Sequence, residues 1–307
     1  MPVLLKTILT PTFGASILRV TTPILFATLG AVISDLAGVI NIGLEGMMLV
    51  SAFTGVVVSA FTGSAWLGLI AGACASVLLA LVLGYFHLKL RTNIILAGIA
   101  LNLLASGGTV FLLYVVAHDK GVSSSLASKV IPEWQIPFLK DVPVLGAVLG
   151  KQNALTYVAL LAVVATYYLL YRTTFGLRLR VVGENPDAAD SVGISVHRVR
   201  FLALALSGLM AGMGGAHLSM GYVSWFSRDM TSGRGFIALA ANALGGRHPV
   251  GGFIASLFFG FADALSNYMQ SLRVPGEFVQ MIPHLATLVG LVIYATSQTR
   301  RRKASWP

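Results

Sequence analysis

Apolar runs of about 20 residues recur along almost the whole of this 307-residue sequence, and they restrict the chain to a membrane-embedded fold. Hydrophobic residues make up 56% of the chain and charged residues only 10%, too few to cover the surface of a water-soluble domain of this size. Inside a bilayer every backbone N–H and C=O must be paired within the protein, and helices satisfy these groups within each segment. The sequence therefore predicts an all-α polytopic membrane protein, a single transmembrane domain over residues 1–307.

The apolar runs predict about eight to ten membrane segments, some of them broken. The predicted full spans are Phe13 to Leu36, Gly38 to Phe61, Ala65 to Phe86, Thr92 to Ala117, Asn153 to Tyr171, Phe201 to Met220, Gly251 to Gln270 and Phe278 to Thr296. Gly235 to Gly246 is also apolar, but it is too short for a straight span and is expected to be a half-helix. VINIGLEGMM, which begins at Val39, is a second glycine-interrupted segment at a comparable place in the first half, a pattern associated with transport folds.

The net charge of +10 is distributed as the positive-inside rule expects. Lysine and arginine number twelve in the loops assigned to the inside and seven in the loops assigned to the outside. The inner stretches include 172–200 and the tail 300–303, while His118 to Gln152 and Tyr222 to Arg234 are assigned to the outside. The partner of this charge is the cytoplasmic face of the membrane, and no nucleic acid is expected.

The longest arginine-rich interruption, residues 172–200, contains the pattern of a short capped helix. Asn185 suits the N-cap, Pro186 the first helical position and Asp187 the positive end of the helix dipole. Gly193 is a natural stop. Such a helix outside the bilayer is either a contact for another protein or an ordinary cytoplasmic loop, and the local pattern leaves both interpretations open.

Polar side chains inside the predicted spans are the candidate pathway residues. Glu45 is the strongest, because an ionisable group within a span is costly and Gly43 and Gly46 would let the helix unwind beside it. It either lines or gates a solute pathway, or is a buried carboxyl that pins helices together. Three asparagines offer amide donors and acceptors for a neutral polar solute, and interhelical hydrogen bonding explains each of them equally well. They are Asn41, Asn102 and Asn242.

Enzymatic signals are weak. The single cysteine cannot form a disulfide within the chain, the six histidines are dispersed, and neither a metal-binding spacing nor a nucleophile elbow occurs in the sequence. No glycine-rich loop ending in Gly-Lys-Ser or Gly-Lys-Thr occurs, so the chain lacks the usual cradle for ATP phosphates. We therefore expect a transport protein that is not itself an enzyme, binds no cofactor or metal directly, and relies on another subunit if ATP drives it.

Three segments carry a resemblance to a known family. INIGLEGMMLVSAFTG, GLRLRVVGENPDAADSVGIS and GFIALAANALGGRHPVGG resemble the permease subunits of ABC importers in the branched-chain amino acid and simple-sugar permease superfamily. Gly-Leu-Glu-Gly after Ile-Asn-Ile is most similar to the nucleoside-type permeases. A solute pathway lined by neutral polar groups would also suit sugars or amides. The resemblance implies a type II importer-like fold, a location in the bacterial cytoplasmic (inner) membrane, and a solute path at the interface between two permeases.

The same resemblance implies partners. They are ATP-binding subunits that hydrolyse ATP, a second and different permease, and a substrate-binding lipoprotein or periplasmic protein. The short inner helix would be the coupling helix, and the residues assigned to the ATPase contact are Glu184, Asn185, Pro186, Asp187, Ala188, Ala189 and Gly193. The competing class is a stand-alone secondary transporter that uses Glu45 or Asp263 as a proton or sodium relay.

Overall fold

The computed structural model describes residues 10–136 and 145–270. Seven helices in these ranges are long and apolar enough to cross a membrane, and an eighth apolar helix is half as long. The helices are α1 (Pro11–Leu36), α2 (Leu44–Thr62), α3 (Ala65–Gly84), α4 (Ile94–Ala117), α5 (Leu145–Leu149), α6 (Ala154–Arg172), α7 (Thr174–Glu184), α8 (Pro186–Ser191), α9 (Val196–Met220), α10 (Arg234–Leu244) and α11 (Pro249–Gln270). The predicted count of segments is confirmed, while the predicted last span and basic tail lie outside the described residues.

Polar N-caps mark several of the boundaries. The Asn93 side chain accepts a hydrogen bond from the backbone N–H of Ile95 at the start of α4, and Asn153 accepts one from Leu155 at the start of α6. Each cap satisfies one of the backbone donors that a helix start leaves unpaired. The C-terminal end of α3 differs, because the helix continues there into a π-helical turn, Tyr85–Lys89, which precedes the loop to α4.

The second span begins later than the sequence predicts. Gly38 has a left-handed φ of 75°, and helix α2 starts only at Leu44, so Asn41 and Gly43 precede the helix instead of lying inside it. The Asn41 Oδ1 atom accepts a hydrogen bond from the Gly43 N–H at 3.1 Å. This local side-chain bond offers the backbone an alternative to helix, which explains why the apolar run does not become helical throughout.

The centre of the bundle is formed by α1, α2, α3 and α9, and the glycine-rich face of α9 packs closely on its neighbours. A Cβ atom at Gly215 would overlap the backbone of Met48, so only glycine allows this approach. Serine hydroxyls donate across the same interfaces to carbonyl oxygens: Ser51 to Gly212 at 2.6 Å, Ser76 to Gly208 at 2.6 Å and Ser219 to Ala52 at 2.9 Å. Helix α4 is peripheral and is the most exposed of the seven spans in the described residues.

The outer end of the bundle is covered by the long segment between α4 and α6. It contains a two-stranded antiparallel sheet, in which β1 (Glu133–Gln135) pairs with β2 (Lys151–Asn153). The all-α prediction misses this small element, because each strand has three residues and finds its partner far along the chain. Asn153 ties the sheet to the bundle, since its Nδ2 donates to the carbonyls of Ile131 and Gly221.

The inner end carries helices α7 and α8, where the sequence predicts one short helix within a polar loop. Helix α7 was missed, although it buries an amphipathic face that includes Leu179 and Val182. Arginines on its other face give the segment the composition of a loop.

Candidate solute pathway and coupling segment

The half-helix α10 starts in the middle of the bundle, and Glu45 caps its N-terminus. The Glu45 carboxylate accepts hydrogen bonds from the backbone N–H groups of Gly233 at 2.8 Å and Gly235 at 2.6 Å. A carboxylate there satisfies two unpaired donors and lies at the positive end of the helix dipole. Glu45 is partly exposed. In this conformation it pins α2 to α10, which is the second of the two roles considered for it.

Asp263 has an ion-pair partner close to the same place. The Arg234 Nη2 atom lies 2.9 Å from the Asp263 Oδ2 atom, and the two side chains are only 18% and 12% exposed. Asp263 is fourteen residues along α11 from Pro249, about 21 Å at 1.5 Å per residue. The pair is therefore within the span, about two-thirds of the way along α11, and it supplies the partner that a carboxylate within a span requires.

Asn41 and Asn102 both support the non-helical stretch that leads into α2. The fully buried Asn41 side chain donates to the Ser207 hydroxyl at 2.9 Å. Asn102 donates to the Ile42 carbonyl at 2.9 Å and accepts from the Gly46 N–H at 2.8 Å. Asn102 remains partly exposed, while the Asn41 side chain has no open surface.

Asn242 lies at the inner end of α10 in a network of charged groups. Its Nδ2 donates to the Asp35 Oδ2 atom at 2.8 Å, and Arg247 Nε lies 3.1 Å from the same oxygen. Asn242 is only 4% exposed. The four predicted pathway residues are thus not brought to one surface: Glu45 and Asn102 are partly exposed around the start of α2, while the others are buried.

The predicted capped helix in the inner segment is confirmed as α8. The Asn185 Oδ1 accepts from the Ala188 N–H at 3.0 Å, Pro186 is the first helical residue, and Gly193 follows with a left-handed φ of 82°. Glu184, Asn185, Asp187 and Ala188 are exposed, whereas Pro186 is half-buried.

Ala189 does not fit the contact assigned to it. Its side chain is fully buried against Leu179, Val182 and Val199, so it anchors α8 to the bundle and is not available to a partner. The helix is short, and the face with Ala189 must turn inward for α8 to pack at all. Val192, which the sequence reasoning missed, is 71% exposed immediately after α8.

The coupling segment touches the turn that leads to α2. A Cβ atom at Gly183 would overlap the Leu36 carbonyl oxygen and would also meet the backbone of Gly38. The Arg200 Nε donates to the Ala37 carbonyl at 3.3 Å. Gly183 lies in α7 and Arg200 in α9, so a displacement of α8 would reach the stretch between α1 and α2 through α7, on which α8 packs.

The segment from Tyr222 to Arg234 begins as the predicted outer loop, because Ser227 pairs with Val122 of the outer segment and the Arg228 N–H donates to the Gly121 carbonyl. It descends from the outer end of α9 to the start of α10, and on the way the Phe226 ring packs on Phe53 in the middle of α2. The Asp229 Oδ1 atom accepts from the Ser106 hydroxyl of α4 at 2.7 Å. Sequence reasoning missed this site, but the half-length of α10 is the signal for it, because a helix that spans only the inner half must be reached by a descending loop.

Comparison with known proteins gives the family. Residues 14–296 match the model of the family described as branched-chain amino acid transport system / permease component. The chain belongs to this family. Its members are permease subunits, so the expectation of a transport subunit that is not itself an enzyme is confirmed, and nothing in these comparisons favours a stand-alone secondary transporter.

Individual relatives agree with that assignment. The permease is 34% identical to the nucleoside ABC transporter permease protein NupC of Lactococcus lactis, over 91% of each chain. It is 35% identical to the guanosine ABC transporter permease protein NupQ of Bacillus subtilis, over 88% of this chain and 87% of that one. A second permease of the same Bacillus, NupP, is 29% identical over 91% of this chain and 80% of its own length.

The fold also has a solved counterpart. An ABC transporter in an inward-facing conformation matches 92% of this chain and 85% of its own chain, with a TM-score of 0.54 and 16% sequence identity. At that identity the match concerns the fold alone, and it confirms the helical arrangement expected of an ABC importer.

Proposed function

We propose that this permease imports nucleosides across the bacterial cytoplasmic membrane. The observation that carries the proposal is its similarity, over about nine-tenths of both chains, to the nucleoside permease of Lactococcus, supported by the guanosine permease of Bacillus. A nucleoside is a neutral polar solute, and the partly exposed groups around the start of α2, Glu45 and Asn102, offer acceptors and donors of suitable kind. The buried residues Asn41 and Asn242 would hold the helices that line the pathway without contacting the solute.

ATP would be bound and hydrolysed by a separate subunit that seats on α8. Its exposed side is acidic and polar, with Glu184, Asn185, Asp187 and Ala188 available to a partner and Gly193 ending the helix. The close packing of Gly183 on Leu36 gives nucleotide-driven movement of this partner a rigid route into the bundle. Half-buried Pro186 would act by fixing the start of the helix.

A second permease of different sequence would complete the pathway. Bacillus subtilis has two related permeases, NupQ and NupP, which are both named guanosine ABC transporter permease proteins, and this supports a heterodimer. A substrate-binding lipoprotein or periplasmic protein would deliver the solute to the outer side of the assembled transporter.

Co-purification tests the proposed assembly. The permease would be co-expressed with a candidate ATPase subunit and a candidate partner permease, and we expect a stable complex whose ATPase activity rises when loaded binding protein is added. Replacing Asn185 and Pro186 together should weaken the complex or abolish that stimulation, because both residues fix α8. The matched control replaces Glu133 in the outer sheet. A wild-type permease that binds no ATPase, or an unaltered stimulation in the α8 variant, would contradict the proposal.

A further inference from the structure

The contact between Ser106 and Asp229 lies in the middle of the membrane. Ser106 is twelve residues from Ile94 and eleven from Ala117, so it is about 18 Å and about 16 Å from the two ends of α4. The hydrogen bond of 2.7 Å between the Ser106 hydroxyl and Asp229 Oδ1 holds the carboxylate at this depth. Ser227 and Arg228, which precede it, pair with Val122 and Gly121 of the outer segment, so that segment reaches down to this point of α4.

The charged groups at this point are nevertheless exposed on the subunit. The Asp229 side chain is 52% exposed and that of Arg228 is 69% exposed, and the Arg228 Nε lies 3.3 Å from Asp229 Oδ2. Ionised side chains on irregular backbone do not face lipid at membrane depth, because neither the charges nor the backbone groups could be satisfied there. This surface must therefore be in contact with water, and it can be reached from the outer side, where the outer segment pairs with it.

The Asp229 carboxylate retains capacity to accept hydrogen bonds. Two carboxylate oxygens offer about four acceptor positions, and the contacts with Ser106 and Arg228 use one on each oxygen. Arg228 also offsets the negative charge, so the site suits a neutral solute that offers two adjacent donors. Asp229 has a left-handed φ of 51°, a conformation that aspartate and asparagine tolerate better than most residues.

We propose that Asp229 accepts hydrogen bonds from the vicinal 2′- and 3′-hydroxyl groups of a nucleoside as it passes through the permease. The assignment rests on the proposed function, which supplies a solute with such a pair of donors. Every ribonucleoside carries the two hydroxyls whatever its base, whereas the paired N–H donors of a guanine base occur in only some of them. A carboxylate on ribose hydroxyls is also an established mode of nucleotide recognition.

The test measures uptake by proteoliposomes that contain the complete transporter, with the binding protein saturated by each solute in turn. Guanosine, 2′-deoxyguanosine and inosine separate the possible contacts, because the second lacks a ribose hydroxyl and the third lacks the 2-amino group of guanine. We expect wild type to carry guanosine and inosine similarly and 2′-deoxyguanosine about tenfold more slowly. Asp229→Asn should slow guanosine about tenfold and remove most of the preference for the 2′-hydroxyl.

Asp119→Asn is the matched control. Asp119 is an exposed carboxylate in the outer segment that accepts from a serine hydroxyl at 2.7 Å, as Asp229 does. Hydrogen bonds from the backbone and side chain of Ser125 lower the pKa of Asp119. This variant should leave the uptake and the preference unchanged. Ser106→Ala keeps the Asp229 charge and should change the preference less than Asp229→Asn does.

The outcomes separate this inference from the function on which it rests. If wild type carries no nucleoside at all, the proposed function fails. If wild type carries guanosine and 2′-deoxyguanosine equally, or if Asp229→Asn keeps the wild-type preference, the assignment of Asp229 is overturned while nucleoside transport stands. A wild-type preference for guanosine over inosine that Asp229→Asn removes would also overturn it, since the contact would then be to the base. The comparison of guanosine with 2′-deoxyguanosine in the wild type tests the assignment of Asp229 even if the Asp229→Asn variant fails to assemble.

Discussion

Replacing Glu45 by glutamine removes a charge and one of the two acceptors that hold the start of α10 in the middle of the bundle. The wild-type carboxylate accepts from Gly233 and Gly235 at 2.8 and 2.6 Å. An amide has one oxygen for these two donors, so the other N–H would face an NH₂ group. We therefore expect Glu45→Gln to destabilise the permease even in the absence of solute or partners.

The size of the effect follows from those contacts. A hydrogen bond to a charged group contributes about 1.5–3 kcal/mol, and a carboxylate at a partly buried helix N-terminus contributes up to about 2 kcal/mol. Glutamine keeps one neutral hydrogen bond, so the expected loss is about 2–4 kcal/mol. At roughly 2–4 °C per kcal/mol, the apparent melting temperature should fall by roughly 4–16 °C.

Thermal unfolding of the purified permease in detergent measures this shift, followed by the fluorescence of its tryptophans. Glu133→Gln is the control, because the Glu133 carboxylate pairs with Lys151 at 3.1 Å on the surface with both side chains well exposed. Such a pair contributes about 0–1 kcal/mol. If Glu45→Gln melts within about 1 °C of the Glu133→Gln variant, the cap does not stabilise α10, and the structural account of Glu45 is wrong.

Three further changes probe other contacts. Asp263→Asn leaves the mostly buried Arg234 guanidinium without its counter-ion and should cost about 3 kcal/mol in thermal unfolding, whereas replacing both residues by apolar ones should recover most of that loss. Gly183→Ala would force apart the contact with the Leu36 carbonyl, and we expect lower ATPase stimulation by loaded binding protein even where the complex still assembles. Asn185→Ala removes the α8 cap, worth about 1 kcal/mol, and should weaken ATPase binding with little change in melting temperature.

Each of these has a result that would contradict it. A wild-type melting temperature for Asp263→Asn would mean that the ion pair contributes nothing. Full stimulation in Gly183→Ala would exclude the route from α8 to the turn between α1 and α2. Unchanged ATPase binding by Asn185→Ala would show that the partner does not depend on the shape of α8.

Features encoded within one stretch of sequence were predictable. The apolar lengths gave the spans, the brevity of Gly235 to Gly246 gave the half-helix, and the residues from Asn185 to Gly193 gave α8 with its cap and stop. In each case the deciding interactions lie within a few residues of one another. Periodicity and capping report such interactions directly.

Features that depend on contacts between distant residues were not predictable. Ser106 and Asp229 are separated by 123 positions, and Glu45 lies 188 positions from the backbone that it caps. Neither pairing leaves a mark on local composition. The sequence could identify Glu45 as costly in a membrane, but the choice between a solute ligand and a helix pin required its partners.

The most direct measurement of the central claim is uptake of labelled guanosine by proteoliposomes that contain this permease, its partner permease and the ATPase, with ATP enclosed and loaded binding protein outside. The account predicts uptake that requires enclosed ATP and the ATPase subunit and that is unaffected when proton and sodium gradients are collapsed. Uptake driven by an ion gradient without the ATPase, or ATP-driven uptake that excludes nucleosides, would contradict it.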